Sequence, residues 1–179
     1  MCPLMNATDA AATVTSGSRR RAARLAAVQA LYQLALCGED PNDALVEDAI
    51  IEFLTYRPGA ELPDDAYAEL DNEMFSDLVR GTYRQNAILI KILDDVLPIR
   101  WKFAKLDQIL AKTLGCAAYE MKFRSDVPMA VIINEYVEIT KAFYEGDESG
   151  FINGVLQEVA MKLRGDEVLE YRNERAKSK

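Results

Sequence analysis

The chain has 179 residues, 50% of them hydrophobic and 28% charged, with a formal net charge of −8. That length suits a single domain with a sizeable core. No apolar run approaches the about 20 residues that a membrane helix needs, so a membrane-spanning protein is excluded. With no histidine and only Cys2, Cys37 and Cys116 at wide spacings, neither a disulfide framework nor the usual zinc patterns fit. No metal or cofactor is expected. Residues 1–18 also lack a charged start followed by an apolar block, which predicts an unprocessed cytoplasmic protein.

The net charge conceals a polarity along the chain. Residues 1–36 carry four Arg and one Asp, whereas residues 37–79 carry thirteen acids and one Arg. Because salt screens fields beyond about 8 Å, a local cluster of arginines can bind nucleic acid on an acidic protein.

Residues 1–18, rich in Ala, Thr and Ser, have too little apolar pattern to pack and read as a flexible tail. From Arg19 to Cys37 the spacing of Leu25, Val28, Leu31 and Leu36 predicts a first helix, which Gly38 and Pro41 end. A second runs from Pro41 to about Thr55. The Pro- and Gly-bearing stretch 56–63 is a loop, and a third helix follows from about Asp64 to Gln85. A fourth covers Ala87 to Leu97 and stops at Pro98. Ile99 to Lys105 is a short connection carrying Trp101, after which Leu106 to Phe123 forms a central helix with Leu106, Ile109, Leu110, Leu114 and Ala117 inward.

Two further amphipathic helices are joined by a short acidic turn. The first starts at about Pro128, with Ser125 and Asp126 upstream as candidate caps, and its stripe is Ile132, Tyr136, Ile139 and Phe143. Gly146 is expected to close it and Ser149 to cap its successor, whose stripe is Ile152, Val155, Leu156, Val159 and Leu163. From Gly165 onward the chain is charged and expected to fray. No segment alternates with period two, so the class is all-α. The domain is expected to span residues 19–165, with residues 166–179 as a charged tail.

Several residues are not explained by helix periodicity. Arg19-Arg20-Arg21-Ala22-Ala23-Arg24 opens the first helix, where the macrodipole disfavours positive charge. Such a run is either a solvated face or a set of phosphate contacts. Asn134-Glu135 and Asn153-Gly154 place weak helix formers inside strongly patterned helices. Asn134-Glu135 is best read as interhelical hydrogen bonding. Phe143 and Phe151 flank the acidic turn and suit either the core or stacking on an unpaired base. Asn153 offers donor and acceptor to a base edge, or to helix-end backbone groups.

Catalysis has little support. There is no G-x-x-x-x-G-K-[ST], no G-x-G-x-x-G and no Cys-His pairing. The adjacent acids Asp64-Asp65 and Asp94-Asp95 point about 100° apart on a helix, which makes a poor acid/base pair.

The order D-V-P at 126–128, I-N-E-Y-V at 133–137, an acidic turn, then F-I-N-G-V-L at 151–156 resembles the C-terminal signature of the NusB transcription antitermination proteins. A-V-Q-A-L-Y at 27–32 is similar to the first helix of that family. The likeness covers most of Arg19 to Arg164 and is specific in those two segments.

The resemblance implies a bundle of about seven helices and a non-enzymatic factor that binds single-stranded boxA-like RNA. It would do so with the ribosomal protein NusE, within the RNA polymerase antitermination complex. It implies RNA contacts from Arg19, Arg20, Arg21 and Arg24, from Phe143 and Phe151, and from Asp147. Asn153 and Gln29 would add polar contacts. Tyr32 and Leu36 match positions that face the protein partner. The position of Leu110 also matches one tied to partner binding, but the family has an acid there, and Thr113-Leu114-Gly115 replaces the usual I-L-R. These departures and the acidic segment motivate a second hypothesis, a protein-interaction module or homodimer that has lost RNA recognition.

Overall fold

The computed structural model describes residues 16–37, 41–56, 70–98 and 101–177. Among these residues all regular structure is helical: α1 Ser16–Leu36, α2 Asp43–Tyr56, α3 Asn72–Arg84, α4 Asn86–Val96, a 3-10 turn Phe103–Lys105, α5 Gln108–Phe123, α6 Met129–Phe143, α7 Glu148–Leu163 and α8 Gly165–Lys177. The all-α class expected from the sequence is the class observed. The proposed tail over 1–15, the helix stop at Gly38, the loop over 57–63, the helix start over 64–69 and the opening of the Trp101 connection at 99–100 lie outside the described residues.

Helix α5 is the axis of the bundle. Every residue from Leu110 to Met121 except Lys112 is buried, as expected of a helix apolar on all sides. It packs against α1, α3, α4, α6 and α7. Small residues on α5 and its neighbours permit that close approach. At Gly81 on α3 an added Cβ would stand 2.1 Å from the Tyr119 ring of α5, so the crossing requires glycine there. Phe75, Leu78, Leu114, Ile132, Tyr136 and Leu156 fill the interior, each large apolar side chain contributing about 1.5–3 kcal/mol by leaving water.

Helix ends are fixed by specific partners. Asp71 accepts from the Met74 amide at 3.0 Å to cap α3, and Asp107 accepts from the Ile109 amide at 2.9 Å to cap α5. At the far end of α5 the Arg164 guanidinium donates to the carbonyls of Met121, Val127 and Arg124, each at 2.7 Å. One side chain thus satisfies orphan carbonyls at a helix C-terminus and ties the α5–α6 connection to the end of α7.

Five local expectations are corrected. Helix α1 begins at Ser16 rather than Arg19. Helix α6 ends at Phe143, before Gly146, and α7 begins at Glu148, so Ser149 lies inside it and caps nothing. Ser125 and Asp126 do not cap α6: the Met129 amide donates to Glu167 at 2.7 Å, and Asp126 pairs with Arg124. Residues 165–177, expected to fray, form α8, which docks on the bundle through buried Val168.

Candidate nucleic-acid interface

Helix α1 carries the arginine run, and its side chains divide sharply. Arg19, Arg20 and Arg21 are exposed, whereas Arg24 is only 2% exposed. The expectation that Arg24 contacts phosphate is therefore corrected. Its Nε donates to Glu120 Oε2 at 2.9 Å, its Nη2 donates to Glu120 Oε1, and the Tyr136 hydroxyl donates to the same carboxylate at 3.1 Å. Burial pulls the Arg24 guanidinium down, but the Glu120 hydrogen bonds and charge outweigh it and leave its pKa raised. Burial first, then the Glu120 charge, pushes the Tyr136 phenol well above its ordinary value. This polar cluster is interior and fully partnered, as buried charge requires.

One turn earlier, Arg21 reaches outward over α6. Its Nε and Nη2 donate to Glu135 at 2.9 and 2.8 Å, and Glu135 also lies 3.7 Å from Arg24 Nη1. The interhelical role expected for Asn134-Glu135 is carried by Glu135; Asn134 is exposed. Arg20 stands near enough to Asp126 to help depress its carboxyl, an effect led by the Arg124 hydrogen bond.

The turn between α6 and α7 forms a second surface. Phe143 and Phe151 are half-buried and lean on the core. Phe151 packs against Trp101 with ring centroids 5.5 Å apart and planes at 38°. Trp101 is 48% exposed, and Lys102 and Lys105 beside it are exposed. The Tyr144 hydroxyl donates to Asp107, the α5 cap, clamping the turn to the bundle. That hydrogen bond holds the Asp107 carboxyl below its ordinary value. Asp147 is exposed, and its carbonyl accepts from the Phe151 amide at 3.0 Å. An added Cβ at Gly146 would meet the Glu148 carboxylate at 2.7 Å, so that side chain folds back over the glycine.

The turn is crowded with acids, Asp107, Glu145, Asp147 and Glu148, which repel phosphate. Rings and lysines are what it offers a nucleic acid. Trp101 was not singled out for binding in the sequence, although a lone tryptophan inside Arg100-Trp101-Lys102-Phe103-Ala104-Lys105 interleaves aromatic and basic residues as single-strand binders do.

Helices α1 and α6 run alongside each other in the same direction. Arg21 meets Glu135, and further along Tyr32 contributes to the electrostatics of Tyr144. The arginine head therefore lies beside the middle of α6, and the α6–α7 turn beside Tyr32. From Glu135 to Phe143 the axial distance is about 12 Å at 1.5 Å per residue. A bound strand must bridge that gap.

The remaining expected residues separate. Gln29 and Tyr32 are half-buried on α1, and Leu36 is 62% exposed at its end. Leu110, expected at the partner surface, is 8% exposed and belongs to the core; its position near the start of α5 turns it inward, out of a partner's reach. Asn153 faces a different side of α7 from Phe151. Two residues after Phe151 it is turned about 200° around α7, away from Trp101 and into a groove shared with α6 and α8. Among the described residues no group of three or more His, Cys, Asp or Glu side chains is placed to hold a metal, and no helix is long and apolar enough to cross a membrane.

The model of the NusB family matches residues 21–161. The chain is 41% identical over 150 residues to the transcription antitermination protein NusB of Rhodopseudomonas palustris strain BisB18, covering 84% of this chain and 86% of that protein. It is 40% identical over 149 residues to the protein of the same name from Bartonella tribocorum, covering 83% and 92%. Its fold matches a solved structure of T. maritima NusB with a TM-score of 0.65 at 24% identity, covering 83% of this chain and 96% of that one. A chain from a crystal structure of a plectonemic RNA supercoil matches with a TM-score of 0.62 at 22% identity. The helical bundle and the match along most of its length agree: the chain belongs to the NusB family.

Proposed function

We propose that this protein is a cytoplasmic, non-enzymatic transcription antitermination factor that captures single-stranded boxA-like RNA together with NusE. The observation that carries the RNA part is the exposed Arg19, Arg20 and Arg21 at the head of α1. Arg19 ends the first turn of a helix that starts at Ser16 and has no acid there, and Arg20 and Arg21 follow in the second turn, an exposed cationic cluster suited to phosphate. The Trp101–Phe151 pair with Lys102 and Lys105 supplies a surface on which unpaired bases stack. Asp147 at the turn would orient the strand rather than attract it. The names of the relatives support the antitermination role.

Leu36 on α1 and Leu45, Ile51 and Tyr56 on α2 are exposed apolar side chains available to NusE or to a second copy. Size-exclusion chromatography separates these: a homodimer indifferent to RNA and NusE supports the interaction-module alternative. Filter binding of single-stranded RNA tests the main reading. Three engaged phosphates give a slope of log affinity against log salt of about −2, using about −0.7 per phosphate. Unchanged binding after replacing Arg19, Arg20 and Arg21 with Ala would remove it.

A further inference from the structure

Behind the turn surface, α6, α7 and α8 enclose a groove of about 560 Å³, within the range of small-ligand sites. Its polar lining is Asn134 of α6, Asn153 and Gln157 of α7, and Tyr171, Arg172 and Arg175 of α8, over an apolar floor that includes Ile133 and Ala160. Gln157 Nε2 donates to Asn153 Oδ1 at 3.4 Å. Arg175 lies over the Tyr171 ring, 5.7 Å from its centroid. Helix α8 sorts its charges: Arg172 and Arg175 line the groove, Asp166, Glu170 and Glu174 do not, and Glu167 faces Arg164 and the Met129 amide. The family match ends at residue 161, so the cationic wall stands outside it.

We propose that this groove is a second RNA subsite, which takes an unstacked nucleotide flanking the segment held at the α1 head; it rests on the RNA-binding reading above. Arg172 and Arg175 hold its phosphate, Tyr171 faces the base, and the three carboxamides meet the base edge. Carboxamides present both donors and acceptors, which a base edge matches and an acidic peptide does not need. Continuity favours the same strand. Glu135, which holds Arg21, and Asn134, which lines the groove, are adjacent on α6 and about 100° apart around it. A strand leaving the α1 head has one helix to cross.

The test uses the full chain and fluorescence anisotropy with two labelled single-stranded RNAs, a short one and the same sequence extended at both ends. The Arg172→Ala, Arg175→Ala double variant is expected to bind the short RNA as wild type does and the extended RNA about tenfold more weakly, its salt slope reduced by about 0.7 for the one phosphate lost. Asn153→Ala is expected to relax discrimination between bases in the extension. Wild-type binding of both RNAs with no effect of the double variant overturns the groove alone. Absence of RNA binding by the wild type overturns the proposed function and the groove with it. Displacement of the extended RNA by an oligoglutamate peptide as effectively as by unlabelled RNA overturns the assignment in favour of a protein ligand.

Discussion

Arg21 and Arg24 stand one turn apart on the same helix and share the carboxylate of Glu135, yet they belong to different parts of the molecule. Arg24 is enclosed with Glu120 and Tyr136, while Arg21 has a side chain 58% exposed and sits in the cationic head with Arg19 and Arg20. The buried side is a matter of stability and the exposed side of binding. A charge run on a helix is thus not one patch, because three residues turn about 300°, about 60° short of a full turn, and that offset carries Arg24 into the core.

Arg24→Ala gives the largest expected effect. It leaves the Glu120 carboxylate buried without its counter-ion and should lower unfolding free energy in urea by about 3–5 kcal/mol. Replacing Arg24 and Glu120 together by apolar residues of similar volume should cost far less; an equal cost would show that the pair itself, not the orphaned charge, holds the helices. On the exposed side, Trp101→Ala should leave the urea midpoint nearly unchanged and weaken RNA binding by about 1–3 kcal/mol, the worth of one stacked base. Arg21→Ala should cost only about 0.2–1 kcal/mol of stability, because water screens its pair with Glu135.

Acid should weaken the fold without separating the two sides of α1. Asp107, beside Tyr144, and Asp126, beside Arg124, have depressed pKa values, as does Glu47 beside Arg80. A depressed folded value contributes stability that is present above the unfolded carboxylate range and lost as pH falls through the folded value. The thermal midpoint should therefore decline on acidification from about pH 5 toward pH 2. A midpoint flat across that window would contradict these pairings. Cysteine labelling is a parallel check. Burial raises the Cys116 thiol to about 12, so alkylation of the native protein near neutral pH should mark exposed Cys37 and spare Cys116.

Seven helices were legible in the sequence because each has an apolar stripe at helical spacing, and the stripe is what the bundle buries. Helix α8 was not, since the face it turns to the bundle beyond Val168 is Tyr171, Arg172 and Arg175, a pattern that resembles a solvated tail. Burial of Arg24 was equally invisible: its partner Glu120 is 96 residues away, and nothing local distinguishes Arg24 from Arg21. The divergence of Phe151 and Asn153 was legible in principle, because two residues on a helix turn about 200°. Motif likeness had grouped residues that geometry separates. The aromatic platform lay hidden for a different reason, since Trp101 meets Phe151 only when the connection before α5 folds back onto α7.

The central claim is that one RNA strand engages the exposed α1 head and the Trp101–Phe151 surface together. Trp101 is the only tryptophan in the chain, so its intrinsic fluorescence reports on the second surface while the salt dependence reports on the first. Titration with single-stranded boxA-like RNA should quench Trp101, with a log–log salt slope of about −2 that falls by about 1.4 in an Arg19→Ala, Arg20→Ala variant. RNA binding that leaves Trp101 emission unchanged, or a slope the same in wild type and variant, would contradict it.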